Sequence, residues 1–571
     1  MKHRISLIRL KYIDRDFQSV VDIFKVIEQK NSINDCASLA MVAQSYYYQD
    51  KYESAAEVFV RAANIDSPAS LKFCNLAFEL FRKAGNTWKA LQAADAILKR
   101  SPRDHTAAAF RRHHLFDFLL TEELLEANKQ AMAGITANDE FIRSCELPFN
   151  NLMWCGDEGI NSRIRDLRAP LFSSDDRKRR RAQPHQFARK IRIGYFSADF
   201  SSAHATIILM RGVLECHDRN DFEITLYCNT PDSLIANDAG FRQEVGKLVS
   251  IRDLTDAEAH ARIRDDGIDI LVDLKGHTSG ARIGLINSGP APIQVSWLGF
   301  PGSVTGIDCD YVIGDPTVTP DTSKPFYHEK FCRLPECYQA NDNKRRPLPP
   351  PMRRQDAGIP TDRMIFASFN NVKKISPETI GAWASILRNC PDSILWMMCD
   401  NEIAQENLLR YLDAQSVAPD RVIFARPIGY EAHIARLQAA DLCLDTFPCN
   451  GHTTTSDCLW AGLPVLTTKG SNFASRVSES LLVAAGVPEL VSESTDEYVA
   501  LACELAKNQS LLKSLRQRLL DNRFSAPLFD TERFTRHLER GYRMMVERRK
   551  AGLDPDNIDV PAFPPRQEPF R

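Results

Sequence analysis

The sequence predicts an α plus α/β protein, in which α-helical repeats precede a pair of Rossmann-like domains. Alanine-rich patterns of helical period fill residues 1 to about 145, and some positions recur 34 residues apart. From Ile191 onward, short apolar runs alternate with helical patterns, which is typical of a doubly wound parallel sheet. The alternation stops at the proline-rich, basic segment Lys344–Arg354 and then starts again. A chain of 571 residues has room for about three domains.

Composition and charge narrow the function classes. Lys and Arg number 72 against 74 Asp and Glu, so the net charge of −2 gives no overall attraction to nucleic acid or to an anionic membrane. We see no apolar run long enough to span a bilayer and no signal-peptide core near the start. Fifteen cysteines without a secretion signal indicate reduced thiols, and hence a cytoplasmic protein.

The helical part, assigned to residues 1–146, contains a repeat. Three pairs of residues share the 34-residue spacing: Tyr47 and Phe81, Ala56 and Ala90, and Pro68 and Pro102. An aromatic, a small residue and a closing proline at this period indicate tetratricopeptide (TPR) repeats. Two repeats are too few to stack stably alone, so degenerate ones are expected at Arg9–Asn31 and His105–Gly134. The repeats predict a groove for an extended peptide; the alternative is a helical cap on the next domain.

A joint is assigned to residues 147–190. It contains five consecutive basic residues, Arg177–Arg181, which follow Ser173–Asp176. A localisation signal or a nucleic-acid patch is one interpretation. A solvated linker is preferred, because acidic residues flank the run and the whole chain is nearly neutral.

The two α/β domains are assigned to residues 191–343 and 344–550. In the first, strands are predicted at Ile191–Ser197, Phe222–Cys228, Ile268–Leu274, Ile293–Trp297 and Tyr311–Ile313, and helices at His204–Glu215 and Ala257–Asp265. In the second, strands are predicted at Met364–Ser368, Ile394–Met398, Arg421–Phe424, Leu442–Leu444 and Val465–Thr467, and helices at Pro377–Arg388 and Glu431–Ala439. A cleft between two such halves suits a nucleotide-sugar glycosyltransferase of the GT-B kind. The proline-rich and charged tail, residues 551–571, is expected to be disordered.

The stretch Asp445–Pro464 (DTFPCNGHTTTSDCLWAGLP) is the strongest candidate for a binding site. A turn between two apolar strands delivers His452, Thr453 and Thr454 to the start of a helical pattern. The first N–H groups of a helix have no partner within it, and they attract phosphate. Asp457, one turn further on, could reach ribose hydroxyls. An ordinary strand, turn and helix with threonines at the cap is the alternative.

Glycosyl transfer needs the leaving diphosphate stabilised and the acceptor hydroxyl activated. For the first task the candidate is Lys374, after strand Met364–Ser368, and Lys373 is a second choice. The alternative is that Lys374 is an ordinary surface lysine. For the second task the candidates are Asp199 and His204, directly after the first strand. A structural, hydrogen-bonding histidine is the alternative there.

Two further loops are candidates for the sugar and the acceptor. The loop GFPGSVTG contains Pro301 and Gly302, and the loop KGHTSGAR contains Thr278 and Arg282. Asp308-Cys309-Asp310 has the spacing of a metal-binding DxD motif but lacks its usual context, so no metal site is predicted.

Five motifs occur in order along the chain: SADF with His204, LVDLKGHTSGAR, PAPIQVSWLGFPG, SFNNVKKISPET and CNGHTTTSDCLWAGLPVLT. Together they resemble the O-linked N-acetylglucosamine transferase/SPINDLY family (glycosyltransferase family 41), in particular its bacterial members. The resemblance covers the TPR-like helices and both α/β domains as far as Leu538, and several long matches in the right order are highly specific.

The resemblance implies an inverting, metal-independent enzyme that needs no cofactor and transfers GlcNAc from UDP-GlcNAc to Ser or Thr hydroxyls of proteins. Carried over by matching position, the implied nucleotide contacts are Lys374 at the diphosphate, Asn371, His433 near the base, His452, Thr453 and Thr454 at the phosphates, and Asp457 at the ribose. Asp199 and His204 match positions that assist acceptor activation, and Lys374 is grouped with them as catalytic. The implied partner is a protein or peptide in the TPR groove and the interdomain cleft.

Three departures from the animal members stand out. Asn371 replaces a glutamine, as in SPINDLY-type proteins and many bacterial members, and Tyr430 replaces a lysine. Leu147–Trp154 has no histidine where the animal members place one near the active site. The first two leave the donor open, because SPINDLY-type members use GDP-fucose. The GHTTTSD form is closer to that of UDP-GlcNAc users, so UDP-GlcNAc is preferred.

Two alternatives remain. One is a protein fucosyl- or hexosyltransferase on the same fold, using GDP-fucose or a UDP-hexose. The other is a TPR adaptor with a catalytically weak second half. The joint presence of Lys374, His204, Thr453, Thr454 and Asp457 argues against the adaptor.

Overall fold

The computed structural model describes residues 2–29, 33–65, 67–167, 169–170, 172–235 and 247–570. The chain divides into two compact units, Met1–Glu146 and Leu147–Arg571. The boundary falls where the helical repeats end. None of the helices in the described ranges is both long and apolar enough to cross a membrane.

The first unit is built of helices. Their bounds are Lys2–Ile13, Phe17–Glu28, Cys36–Tyr47, Tyr52–Ala63, Ser70–Lys83, Thr87–Leu98, His105–His114, Thr121–Thr136 and Glu140–Cys145. The repeat explains the packing, because Ala56 and Ala90 occupy equivalent helix positions and are both fully buried. Small residues there let successive helices approach closely, and a shared apolar core runs through the stack.

Helix pairs do flank the two clear repeats, but their bounds differ from the expected Arg9–Asn31 and His105–Gly134. Lys2–Ile13 with Phe17–Glu28 precedes the clear repeats, and His105–His114 with Thr121–Thr136 follows them. Asn31, the expected end of the first pair, lies outside the described residues. N-cap aspartates begin several of these helices, such as Asp35, whose side chain accepts a hydrogen bond from Ser38 N at 3.0 Å.

The second unit contains two parallel sheets. The strands of the first sheet are β1 (Ile191–Ser197), β2 (Phe222–Cys228), β3 (Lys247–Ser250), β4 (Ile270–Asp273), β5 (Ile293–Ser296), β6 (Tyr311–Gly314), β7 (Lys330–Arg333) and, from the tail, β14 (Ile558–Asp559). Their order is β14-β7-β6-β5-β4-β1-β2-β3. Ile193 in β1 lies between Ile224 and Ile270, and all three are buried, as expected for a sheet covered on both faces.

The second sheet has the order β10-β9-β8-β11-β12-β13, again with every pair parallel. Its strands are β8 (Met364–Ser368), β9 (Ser393–Met398), β10 (Val422–Ala425), β11 (Leu442–Leu444), β12 (Val465–Thr468) and β13 (Val491–Ser492). The predicted pair of Rossmann-like domains is therefore confirmed.

Helices connect the strands on both faces. Around the first sheet they are Ala205–Cys216, Asp232–Ile235, Asp256–Asp265 and Ile283–Asn287. Around the second they are Pro377–Asn389, Glu402–Ala414, Tyr430–Leu437, Thr453–Ala461, Val477–Ala485, Thr495–Lys507 and Gln509–Asn522. The joint contributes Pro148–Trp154, Glu158–Asn161 and Ser174–Ala182.

The last long helix, Thr531–Lys550, departs from the expected domain boundary. The sequence places it in the second domain, but in the structure it returns to the first sheet. Its Leu538 and Tyr542 are fully buried in one core with Ile193 and Tyr195 of β1. The helix has a strongly amphipathic pattern, and its apolar side is covered by the first sheet.

The tail also differs from the expectation of disorder. Ile558 and Asp559 form β14, which pairs with Cys332 and Arg333 of β7. Phe570 is 6% exposed, and its backbone N–H donates to the carbonyl of Phe524 at 2.8 Å. Composition suggested disorder, but edge pairing and a few buried apolar side chains order these residues through the rest of the unit.

The basic run in the joint is a helix rather than a solvated linker. Arg180 is buried, and its guanidinium bonds both Asp308 and Asp310 at 2.8 Å. Arg177 and Arg181 add bonds to the same aspartates. The DxD spacing therefore serves an ion-pair cluster that attaches the joint to the first sheet, while Arg179 in the same run stays exposed.

Candidate active site

The strand order of the second sheet reverses between β8 and β11. β9 and β10 extend the sheet beyond β8, whereas β12 and β13 extend it beyond β11. The loops after β8 and β11 leave neighbouring strands toward opposite sides, which opens a crevice at their carboxyl ends. Lys374 follows β8 and His452 follows β11, so topology brings the two predicted segments together.

Asp445, the residue after β11, holds the second loop in shape. It is buried and accepts hydrogen bonds from Gly451 N at 2.7 Å, Thr467 Oγ1 at 2.8 Å and Asn370 Nδ2 at 3.1 Å. Burial raises the pKa of Asp445, and hydrogen bonds from Ser478, Gly451 and Thr467 oppose the rise. A Cβ on Gly451 would lie 2.4 Å from Thr455 Oγ1, so only glycine fits this turn.

Lys374 lies at the end of the 3₁₀ turn Val372–Lys374, and its Nζ donates to the carbonyl oxygen of Asn450 at 2.6 Å. Helix Thr453–Ala461 begins three residues after Asn450, and no side chain of the described residues caps its N–H groups. An ammonium beside the open N–H groups of a helix start is a donor set for phosphate oxygens. Thr453 and Thr454 occupy that first turn and are half-buried.

His452 occupies the N-cap position of this helix. Its Nε2 is buried without a hydrogen-bond partner among the residues the structure describes. Burial and the nearby Lys374 charge hold the pKa of His452 well below its usual value, so the ring is neutral. A buried polar atom with no protein partner beside the helix start indicates a place where a ligand completes the hydrogen bonding.

Asp457 lies one turn further along the helix, as predicted, and is 4% exposed. Its Oδ1 accepts a hydrogen bond from Tyr430 Oη at 2.8 Å, and Arg346 Nε lies 3.5 Å from the same oxygen. Burial raises the pKa of Asp457, while Arg346 and the tyrosine hydroxyl lower it. Tyr430, one of the three departures noted in the sequence, is therefore part of this site.

His433 and Asn371 are placed differently. The His433 ring packs edge-on against Phe369 at 5.4 Å, and its Nδ1 accepts a hydrogen bond from Arg436 Nε at 3.0 Å. Burial and Arg436 lower the pKa of His433 to about 4, so it is neutral with its proton on Nε2. Asn371 is exposed, and its side chain caps the turn by accepting from Lys373 N.

In the first sheet the strand order reverses between β1 and β4, and Asp199 and His204 follow β1. Asp199 Oδ2 accepts a hydrogen bond of 2.6 Å from Lys275 Nζ in the loop after β4. His204 Nε2 lies 3.6 Å from Asp199 Oδ1, and His204 begins helix Ala205–Cys216. Asp199 and His204 therefore lie close together at the carboxyl end of β1, as predicted. Lys275, at the carboxyl end of β4, pairs with Asp199.

The His204 imidazole is 40% exposed in its side chain, so it can meet an acceptor. Burial lowers the pKa of His204, Asp199 raises it and Lys275 lowers it, with a net fall from the usual value. Behind this group, Asp273 accepts backbone hydrogen bonds from Lys275 and Gly276, and burial raises the pKa of Asp273 to about 6.

The remaining predicted residues lie in less polar or structural positions. Pro301 and Gly302 are buried and line a small cavity with Leu152 of the joint. Thr278 Oγ1 donates to the carbonyl of Lys275 at 2.8 Å. Arg282 bonds Asp256 and two backbone carbonyls near helix Asp256–Asp265, so its guanidinium serves the scaffold.

Comparison with known proteins identifies the family. Residues 176–348 and 351–538, more than half of the chain, match the family described as Glycosyl transferase family 41. This protein belongs to glycosyltransferase family 41. The matched residues span both sheets and include the predicted residues at β1, β4, β8 and β11.

Several relatives show the extent of the similarity. A protein of Arabidopsis thaliana, "Probable UDP-N-acetylglucosamine–peptide N-acetylglucosaminyltransferase SEC", is 37% identical over 384 residues, covering 65% of this chain and 39% of the relative. A protein of Petunia hybrida with the same enzyme name and the designation SPINDLY is 32% identical over 374 residues, covering 63% and 39%. The chain thus spans about two-fifths of the length of these relatives.

Among solved structures, a mutant of the Thermobaculum terrenum O-GlcNAc transferase matches with a TM-score of 0.63 at 25% identity. The match covers 96% of this chain and 98% of that one.

Two residues of this family 41 chain were missed by sequence reasoning. Lys275 stands in the quoted motif LVDLKGHTSGAR, and its charge directly after a buried strand was a usable signal. Arg346 stands in the proline-rich segment, where its neighbours are exposed or loop residues, and nothing local distinguishes it. Its contact with Asp457 is visible only in three dimensions.

Proposed function

We propose that this protein is an inverting, metal-independent glycosyltransferase that moves GlcNAc from UDP-GlcNAc to Ser or Thr hydroxyls of proteins. The observation that carries the proposal is the placement of Lys374 beside Asn450 and the start of helix Thr453–Ala461, at the carboxyl ends of β8 and β11. A nucleoside diphosphate placed there has its ribose one helical turn along, near Asp457.

The chemistry follows from this arrangement. The acceptor oxygen attacks the anomeric carbon as the bond to the diphosphate breaks, and negative charge grows on the departing phosphate. The Lys374 ammonium and the N–H groups of the helix start stabilise that charge. No divalent cation is required by this scheme, and the donor is the only small molecule the site needs.

The acceptor hydroxyl must lose its proton during the attack. His204 is the candidate base, because it is neutral, partly exposed and held beside Asp199 at the end of β1. The proton would go to Nδ1, which must first release the hydrogen bond that it accepts from Thr206 N. The Asp199 carboxylate, 3.6 Å from Nε2, would stabilise the resulting imidazolium.

UDP-GlcNAc is the proposed donor because the names of the Arabidopsis and Petunia relatives both specify it. A fucosyltransferase using GDP-fucose, or a UDP-hexose transferase, is the second candidate, which Asn371 and Tyr430 favour. The proposed acceptor is a protein segment that reaches the cleft between the two sheets and contacts the groove of the helical repeats. The cytoplasm is the proposed compartment.

Calorimetric titration with UDP and GDP in the presence of EDTA tests the proposal. We expect UDP to bind, and Lys374→Ala to weaken it by about tenfold to a hundredfold, because hydrogen bonds to charged groups contribute about 1.5–3 kcal/mol. Lys373→Ala, next to it in the same turn, is the matched control and should change the affinity little. A preference for GDP would transfer the proposal to fucosyl transfer.

Sugar transfer is measured in parallel by mass spectrometry of a Ser/Thr peptide library incubated with UDP-GlcNAc and EDTA. A Lys374→Ala variant that transfers sugar at the wild-type rate would overturn the mechanism. A wild-type protein that binds neither nucleotide would favour the adaptor.

A further inference from the structure

One carboxylate oxygen of Asp457 is already occupied by protein groups. Tyr430 Oη donates to Oδ1 at 2.8 Å, and Arg346 Nε lies 3.5 Å from the same atom. No hydrogen bond from the described residues reaches Oδ2. Asp457 therefore has one oxygen held in place and one available to a ligand.

Arg346, which lies next to Asp457 Oδ1, is itself held in place by Ser456. Its side chain is fully buried, and its terminal nitrogens bond the carbonyl and the Oγ of Ser456 at 3.3 Å each. Its Nε lies 3.5 Å from Asp457 Oδ1 and has no hydrogen-bond partner among the described residues. This spare donor of a buried guanidinium faces Oδ1, so Arg346 supports the same carboxylate oxygen that Tyr430 holds.

The neighbouring side chains explain why Tyr430 is well placed. Tyr430 begins helix Tyr430–Leu437 and Asp457 lies on helix Thr453–Ala461, so their hydrogen bond joins two helices. The helix that carries Asp457 also carries the phosphate end of the site. A carboxylate fixed across both helices keeps a constant distance from the helix start, as a nucleotide requires.

We propose that Tyr430 and Arg346 are positioning residues, which hold Oδ1 of Asp457 so that Oδ2 accepts hydrogen bonds from the ribose hydroxyls of the nucleotide. This inference rests on the proposed function and assigns Tyr430 a task different from that of a lysine. A lysine at this position would contact the ligand as a charge, whereas the tyrosine hydroxyl acts through Asp457.

The test compares nucleotides with and without ribose hydroxyls. UDP and 2′,3′-dideoxy-UDP are titrated into the full-length wild-type protein and into Tyr430→Phe, which removes only the hydroxyl. We expect the wild-type protein to bind UDP about tenfold more tightly than the dideoxy form, because a hydrogen bond to a charged group is lost. In Tyr430→Phe the UDP affinity should fall about fivefold while the dideoxy affinity stays unchanged.

Two control variants and a second test variant, at Arg346, separate positioning from general damage. Tyr411→Phe, the same change on helix Glu402–Ala414, should leave both affinities unchanged. Lys374→Ala should weaken both nucleotides by the same factor, because it acts at the phosphates. Arg346→Met should reduce the discrimination against the dideoxy form, and a thermal melt records whether it folds.

A Tyr430→Phe protein that loses affinity for both nucleotides equally, or for neither, would overturn the inference while leaving the proposed function intact. If the wild-type protein prefers GDP, the same comparison is made with GDP and 2′,3′-dideoxy-GDP, because the ribose is common to both. A wild-type protein that binds no nucleotide would overturn the proposed function and this inference together.

Discussion

Lys275 and Asp199 form a buried ion pair, with Nζ 2.6 Å from Oδ2 and side-chain exposures of 4% and 11%. The pair joins the loops after β4 and β1, the two strands at which the order of the first sheet reverses. It thereby fixes the carboxylate against which His204 is held.

Lys275→Met should lower the free energy of unfolding by about 3 kcal/mol, because Asp199 becomes a buried charge without its partner. Urea denaturation measures the change. The double variant Lys275→Met with Asp199→Asn should recover much of the loss, since the unpaired charge is gone. Lys178→Met, at an exposed ion pair with Asp175, is the control and should leave the stability unchanged.

The pH dependence of kcat/KM should reflect the protonation of the His204 ring. Burial and Lys275 lower the pKa of His204 from its usual value and Asp199 raises it, so the neutral base persists below about pH 6.5. Activity should be constant above the folded-state pKa and fall as the pH decreases through it. His204→Gln should abolish this acidic limb. Persistence of the limb in that variant would assign it to another group, such as Asp273, whose pKa is about 6.

Arg180→Met should destabilise the protein by about 3–5 kcal/mol, because Asp308 and Asp310 lose their buried partner. Arg179→Met, one residue earlier on the exposed side of the same helix, is the matched control. Chemical denaturation of the two variants compares a buried with an exposed arginine. Equal stabilities would contradict the assignment of this helix as an attachment of the joint.

The contribution of Arg180 to the free energy of unfolding should also depend on pH. Burial raises the pKa of Asp310, but the charges of Arg180 and Arg181 lower it by more. The pKa of Asp310 in the folded protein therefore lies below its usual value. A lowered carboxyl pKa stabilises the fold above the unfolded-state pKa, about 4, and this contribution is lost as the pH falls further. The stability difference between wild type and Arg180→Met should therefore shrink below about pH 4.

Two glycine substitutions should have opposite effects on stability. A Cβ on Gly299 would lie 1.9 Å from the carbonyl oxygen of Leu274, so Gly299→Ala must displace the loop after β5 and destabilise the protein. For Gly381, inside helix Pro377–Asn389, no atom of the described residues lies within 4 Å of a new Cβ. Gly381→Ala should add about 0.5–1 kcal/mol, because alanine favours the helix and restricts the unfolded chain. Thermal melts of the two variants give the sign directly.

The sequence alone determined the identity and order of most elements. The predicted strands Ile191–Ser197, Phe222–Cys228, Met364–Ser368 and Leu442–Leu444 have the observed bounds. Strands of a parallel sheet that is covered on both faces carry continuous apolar runs, so their signal is local. The repeat spacing and the family motifs can likewise be read from short stretches of sequence without knowing the tertiary contacts.

Only the tertiary structure decided where distant segments meet. The last helix and the tail return to the first sheet, and Arg180 is buried while Arg179 is exposed, although the two share one basic run. Lys275 and Asp199 are separated by 76 residues, and Arg346 lies far along the chain from Asp457. A residue type and its local spacing indicate what a side chain can do. Which partner that side chain contacts depends on how distant elements pack, and the local sequence of one element does not specify its distant neighbours.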